Sequence, residues 1–215
     1  MKVFVIHYKK MVKRKENMLR QLQKCNITNY EFVDIDRDEI YKYDLSKIDT
    51  SIKPALIAIF LSHSYAYKQI AEFHEKALIL EDDAVMDDNF TEKFTHYQNQ
   101  LEPSFDMLFI GSGCNLHIEA DKIIKDQNIY RKYHDPTTWG GAGSTRCVDS
   151  YLVSKKCAKN LCNYIDKLNS YSLVTCEIDH WLNKVCKELD FFVYWAEPTI
   201  VSQGSENNSE DCRCY

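Results

Sequence analysis

Three carboxylates stand side by side at Glu81, Asp82 and Asp83. Adjacent acids repel one another unless a cation or several hydrogen-bond donors compensate them. Hard oxygen ligands of this kind suit magnesium or manganese, which retain waters and bridge to substrate phosphates. In extended chain, residues i and i+2 face the same side, so Glu81 and Asp83 are expected to reach one ion while Asp82 turns elsewhere. The same stretch also reads as an acidic helix cap, because Asp82, Asp83, Asp87, Asp88 and Asn89 all favour helix starts. Taken alone, the triplet leaves both readings open. Its setting adds weight to the first: Ala77 to Leu80 is fully apolar and ends abruptly in the acids. In open α/β sheets the ligand crevice lies just beyond the carboxyl ends of the strands.

The elements that would carry this turn alternate from the start of the chain. Val3 to Ile6 is a continuous apolar run, as expected of a strand covered on both faces. Lys13 to Lys24 carries Met18, Leu19 and Leu22 at helical spacing. Tyr30 to Ile35 reads as a second strand. Pro54 sits where a first helical residue is favoured, and Leu56, Ile59, Phe60, His63, Tyr67, Ile70 and Ala71 form one stripe behind it. Further helices are expected over Phe90 to Asn99, Lys155 to Leu168 and Glu177 to Leu189. Strands are expected at Met107 to Ile110, Tyr151 to Val153, Phe191 to Trp195 and Thr199 to Ser202. Ser112 to Gly143 has weak periodicity and reads as functional loops. Its Gly140, Gly141 and Gly143 would let backbone approach a sugar or phosphate, or simply flex; Trp139 would stack on a sugar face or fill core. The pattern predicts one α/β domain over residues 1–203, with a mostly parallel mixed sheet, and a polar tail over 204–215.

Composition narrows the partners. The chain has 215 residues, 45% of them apolar, with 27 basic and 32 acidic residues and a net charge of −5. A mildly acidic domain lacks the clustered Lys and Arg that neutralise nucleic-acid phosphates. The one basic run, Lys9-Lys10 with Lys13-Arg14-Lys15, reads by default as a solvated face. No apolar run is long enough for a signal segment or a membrane span, so a cytoplasmic location is expected. Nine scattered cysteines without CxxC pairs suggest reduced thiols, neither a disulfide framework nor a zinc site.

Several stretches together resemble glycosyltransferase family 25, the group of lipopolysaccharide and collagen galactosyltransferases. They are Val3-Phe4-Val5-Ile6 with Arg14, Leu61-Ser62-His63, and Ala77-Leu78-Ile79-Leu80-Glu81-Asp82-Asp83-Ala84. Ser150-Tyr151-Leu152-Val153-Ser154 with Ala158 follows, then Glu177-Ile178-Asp179 and Glu197-Pro198-Thr199-Ile200-Val201-Ser202-Gln203. They occur in family order. The resemblance implies the Rossmann-like GT-A fold, an inverting mechanism and a UDP-sugar donor. It implies Mn2+ or Mg2+ on Asp83 and Glu81, with Asp82 nearer the donor's ribose or sugar and His7 and Arg14 flanking the nucleotide. His7 stands where the family more often has Asn. Relatives often supply a late His to the metal, and none follows His180 here; Gln203, a tail carboxylate such as Asp211, or water would complete the shell. His63, on the apolar stripe, reads either as a core histidine or, through the resemblance, as a donor-site residue. Asp179 is the expected base for the acceptor hydroxyl, with His180 ranked second. The expected reaction moves galactose or glucose from a UDP-sugar to a hydroxyl of a glycan or glycosylated protein. Alternatives are an inactive UDP-sugar or glycan-binding module of the same fold, and metal-dependent phosphohydrolysis.

Overall fold

The computed structural model describes residues 1–134, 139–141 and 143–204. The expected tail beyond Gly204, with Asp211, Cys212 and Cys214, lies outside the described residues, as does Ala142. Strands β1 (Lys2–Ile6), β2 (Tyr30–Val33), β3 (Lys76–Glu81), β5 (Met107–Phe109), β6 (Ile129–Lys132), β7 (Ser150–Ser154) and β8 (Val193–Ala196) form one sheet in the order β2-β1-β3-β7-β5-β8-β6. β7 and β6 run against the other five, so the sheet is mixed but mostly of one direction. β4 (Ala84–Met86) and β9 (Val201–Gln203) make a separate antiparallel pair.

Among the described residues five α-helices cover the sheet: α1 (Val12–Lys24), α2 (Pro54–Phe73), α3 (Phe90–Asn99), α4 (Lys155–Lys167) and α5 (Ile178–Glu188). α2 opens with Pro54, whose missing N–H is no loss in a first turn. α4 opens with Ser154, whose hydroxyl accepts from Cys157 N at 3.2 Å. Successive strand residues point to opposite faces, and this divides the core in two. Phe4, Ile6, Ala77 and Ile79 pack with α2, α4 and α5. Val3, Val5, Leu78 and Leu80 pack with α1 and α3. Both faces of the central strands are dry, which is why they read as unbroken apolar runs.

Three features depart from the sequence reading. The last strand is Val201–Gln203, and it pairs with β4 outside the main sheet. This small sheet holds the acidic turn: Ala84 pairs with Gln203, and Gly204 N donates to Asp83 O at 2.7 Å. The stretch expected as loops contains the edge strand β6, where Lys132 is fully buried. Its Nζ donates to Trp139 O at 2.9 Å and Gly141 O at 2.8 Å and lies over the Trp139 and Trp195 rings. The neighbouring glycines serve packing against the protein itself. At Gly140 (φ +67°) a Cβ would sit 2.5 Å from Trp195, and at Gly143 (φ +90°) 2.7 Å from Asn183. Trp139 packs edge-on to Trp195, ring centroids 5.5 Å apart.

Candidate active site

β1 and β3 are parallel neighbours with Ile6 opposite Glu81, so the residues leaving both strands emerge together. His7 Nδ1 lies 2.7 Å from Asp82 Oδ2, and Tyr8 N donates to the same oxygen at 3.4 Å. α1 then folds back and brings Arg14, whose Nη1 donates to Asp82 Oδ1 at 2.9 Å. Arg14 is 6% exposed. The basic run therefore has one member aimed inward at the acids, while its neighbours stay in water. Asp82 is thus fully engaged by protein donors.

Asp83 is not. Its side chain is buried, Arg14 Nη1 stands 3.8 Å away, and neither carboxylate oxygen accepts a hydrogen bond. A buried carboxylate so placed costs free energy unless a cation joins it. Glu81, closing β3, has its pKa pushed up to about 8, first by burial and then by the charges of Asp83 and Asp82.

A fourth carboxylate completes the cluster. β7 runs antiparallel to β3 with Leu80 opposite Ser150, which brings Asp149 beside Glu81; Glu81 N donates to Asp149 O at 2.8 Å. Asp149 is 1% exposed. Ser150 Oγ donates to its Oδ2 at 2.9 Å, while Oδ1 has no partner. Burial pushes its pKa up to about 7, with Glu81 adding to the rise. Behind Glu81 lies His63, fully buried, with Nδ1 2.7 Å from Tyr151 OH and Nε2 3.8 Å from Glu81 Oε1. Burial lowers its pKa to about 3, so the ring is neutral.

Two cavities meet at Glu81 and Ile59. The smaller, about 60 Å³, is walled by His7, Tyr8, Arg14, Arg37 and Asp82 among others; the Arg37 guanidinium stacks 4.1 Å above the Tyr8 ring. The larger, about 220 Å³, is walled by Cys114, Cys147, Asp149, Asp179 and Gln203 among others. Both share Glu81; the first adds Asp82, two arginines, His7 and Tyr8 to an apolar lining, and the second adds Asp149 and Asp179. Among the described residues no three His, Cys, Asp or Glu side chains converge to hold a metal. The chain offers a pair, Asp83 with its two unpartnered oxygens and Glu81. Hard divalent cations are held by one or two carboxylates, with phosphate and water filling the rest. The donor set fits such an ion.

The model of the glycosyltransferase family 25 (LPS biosynthesis protein) matches residues 1–182. The chain belongs to that family. The candidate glycosyltransferase R655 of Acanthamoeba polyphaga mimivirus is 29% identical over 142 residues, which is 60% of this chain and 42% of that protein. The chain thus spans under half the length of that relative. Among solved structures, the Drosophila beta-1,4-galactosyltransferase 7 complex with manganese, UDP-Gal and xylobiose is 10% identical, with a TM-score of 0.46 over 94% of this chain and 67% of that one. Mouse xyloside xylosyltransferase 1 is 11% identical, with a TM-score of 0.45 over 89% and 70%. A glycosyltransferase that acts in glycosylation of the major capsid of PBCV-1 is 13% identical, with a TM-score of 0.40 over 92% and 94%. These likenesses are too distant to bring a donor or an acceptor to this chain.

In this family 25 chain, with its mixed α/β sheet, the residues singled out from sequence fall into three groups. His7, Arg14, Asp82 and Glu81 wall the smaller cavity; Glu81, Asp179 and Gln203 wall the larger. Asp83 is buried beside them. His63 lines neither cavity and reaches the site only through Glu81. Asp149 escaped the sequence reading, because its position depends on the β3–β7 register. The one local signal was a carboxylate placed directly before a strand with the apolar centre Tyr151-Leu152-Val153. Among the described residues, no helix is long and apolar enough to cross a membrane.

The carboxylates set a pH test. Glu81 titrates near 8 in the folded protein against an ordinary 4.5. Across that window the folded state holds a proton that the unfolded chain has lost, so stability falls as pH rises. In chelator, the melting temperature is expected to drop between pH 5 and pH 8, and the drop should be smaller in Glu81→Gln. Each kcal/mol corresponds to about 2–4 °C for a chain of this size. Parallel melting curves for the two proteins would show that Glu81 does not titrate in this range.

Proposed function

We propose that this chain is an inverting, metal-dependent glycosyltransferase that moves galactose or glucose from a UDP-sugar to a hydroxyl of a glycan or glycosylated protein. The observation that carries the reading is the meeting of two cavities at Glu81, beside a buried Asp83 whose carboxylate oxygens accept no hydrogen bond. The Arg37–Tyr8 stack gives the smaller pocket one cationic, aromatic edge suited to a nucleotide, and the carboxylates of the larger, about 220 Å³, suit sugar hydroxyls.

In this reading the nucleotide sits against His7, Tyr8 and Arg37. The buried His7 Nε2, which has no partner, faces it as a hydrogen-bonding group. Arg14 keeps Asp82 fixed as part of the pocket wall. Asp83 and Glu81 would hold Mn2+ or Mg2+, and such a cation would supply neutralisation of the charge on the departing diphosphate. His63, kept neutral in its apolar socket, supports Glu81 from behind. The acceptor enters on the side of Asp149, Asp179 and Gln203. Its hydroxyl oxygen attacks the anomeric carbon from the face opposite the diphosphate, and Asp179 takes the proton as the C–O bond to the diphosphate breaks. Asp179 lies in the first turn of α5.

The experiment is a UDP-release screen over a panel of UDP-sugars and glycan acceptors, with manganese or with chelator. Manganese-dependent release that requires an acceptor is the expected result. Release without an acceptor would mean hydrolysis. No release with any pair, together with a UDP-induced rise in melting temperature, would make the chain a binding module.

A further inference from the structure

Two cysteines face each other in the wall of the larger cavity. Cys114 is exposed in the turn after β5, and Cys147 is half-buried in the segment leading into β7. The Cys147 thiol donates toward Cys114 Sγ at 3.1 Å. Groups other than the thiols enforce this approach. Gly113 lets the two turns touch, since a Cβ there would sit 2.6 Å from Cys147 Cβ and 3.0 Å from Arg146 O. Arg146, fully buried, ties the turns together: its Nε donates to Leu116 O at 2.6 Å and its Nη1 to Ala196 O at 2.7 Å. Both cysteines also take a left-handed backbone conformation, φ +53°. That region is uncommon for residues other than glycine, and such outliers cluster at functional sites.

We propose that Cys114 and Cys147 form a reversible thiol–disulfide site that is oxidised by low-molecular-weight disulfides. The proposal goes beyond the transfer reading and does not depend on it. A disulfide holds its sulfurs about 2.05 Å apart, so closure needs a movement of only about 1 Å. Cys114, the exposed thiol, attacks one sulfur of glutathione disulfide as its thiolate. The glutathione S–S bond breaks, one glutathione leaves, and a mixed disulfide remains on Cys114. Cys147 then attacks Cys114 Sγ and releases the second glutathione. The two protein thiols together give up two electrons and two protons, and two glutathione thiols are formed. Burial and the Cys114 contact raise the Cys147 thiol pKa well above its usual value, with the charges of Asp149 and Asp179 adding to the rise. It therefore suits the second step, where proximity to a fixed sulfur replaces acidity. The bridge would draw the turn carrying Cys114 toward the segment that leads to Asp149, which couples oxidation to the cavity wall.

The test is peptide mapping of the full chain after exposure to glutathione disulfide, acid quenching and alkylation. The expected product is a Cys114–Cys147 cross-linked peptide with the mass loss of two hydrogen atoms, reversed by dithiothreitol. Cys147→Ser should instead hold a stable glutathione adduct at Cys114, and Cys114→Ser should leave Cys147 reduced. Melting temperatures of both variants report whether they fold, and the wild-type map decides the matter even where they do not. A wild-type chain that keeps the glutathione adduct, stays reduced, or links Cys147 to a different cysteine would overturn the proposal.

Discussion

Asp83→Asn is expected to lower sugar transfer by a factor on the order of 10²–10³, the scale for losing one group that stabilises developing charge. The same change should leave the protein at least as stable in chelator. Both halves follow from one geometry. Asp83 is buried, neither oxygen accepts a hydrogen bond, and its nearest cation, Arg14 at 3.8 Å, is closer to Asp82 at 2.9 Å. A charge in that position adds nothing to folding; it raises the pKa of Glu81 and needs an ion to offset it. Asparagine keeps the shape and removes the charge. The main chain of the turn stays in place, because Gly204 N holds Asp83 O and Ala84 pairs with Gln203. A residue that is costly to the fold and necessary to the reaction is expected at a functional site. The checks are manganese titration of UDP release and thermal unfolding with chelator present. Full activity in Asp83→Asn, or wild-type activity that survives the chelator, would remove the ion from the account.

The elements around this turn were legible in the sequence because their signals are local. The apolar runs of β1 and β3 and the stripes of α1 and α2 follow from periods of 2.0 and 3.6 residues. The acids after Leu80 mark the carboxyl end of a buried strand without any knowledge of its neighbours. What stayed hidden depends on pairing across the chain. Asp149 joins the cluster only because β7 runs antiparallel to β3 with Ser150 opposite Leu80. Lys132 reads as a solvent residue, since lysine is rarely buried, and becomes a core residue only once two carbonyls and two indole rings surround it. β4 is three residues long and carries an exposed Val85, too little pattern to stand out. Arg14 shows the limit from the other side. Its neighbours in sequence argue for solvent, and only the fold of α1 onto the acidic turn turns it inward.

Asp179→Asn is expected to lower transfer at least about a hundredfold, the usual scale for a lost general base, while UDP affinity and stability stay unchanged. The carboxylate's position does not rest on its own charge. α5 is anchored by Ile178, Trp181 and Leu182 in the core, with Trp181 edge-on to Phe60 at 5.0 Å. One turn along, Asn183 Oδ1 accepts from Ser144 N and Thr145 N, both at 2.8 Å, which fixes the helix against the facing loop. An amide at 179 therefore occupies the same place in the larger cavity and lacks only the ability to take a proton. Asp179 does not line the smaller cavity, so UDP binding measured by calorimetry should not move. Asp149→Asn is the companion measurement. That carboxylate faces the same cavity, but it is 1% exposed and already accepts from Ser150 Oγ at 2.9 Å, so it is less open to an acceptor hydroxyl than Asp179. If transfer survives in Asp179→Asn and is lost in Asp149→Asn, the proton goes to the buried acid, and α5 supplies the pocket wall without the base.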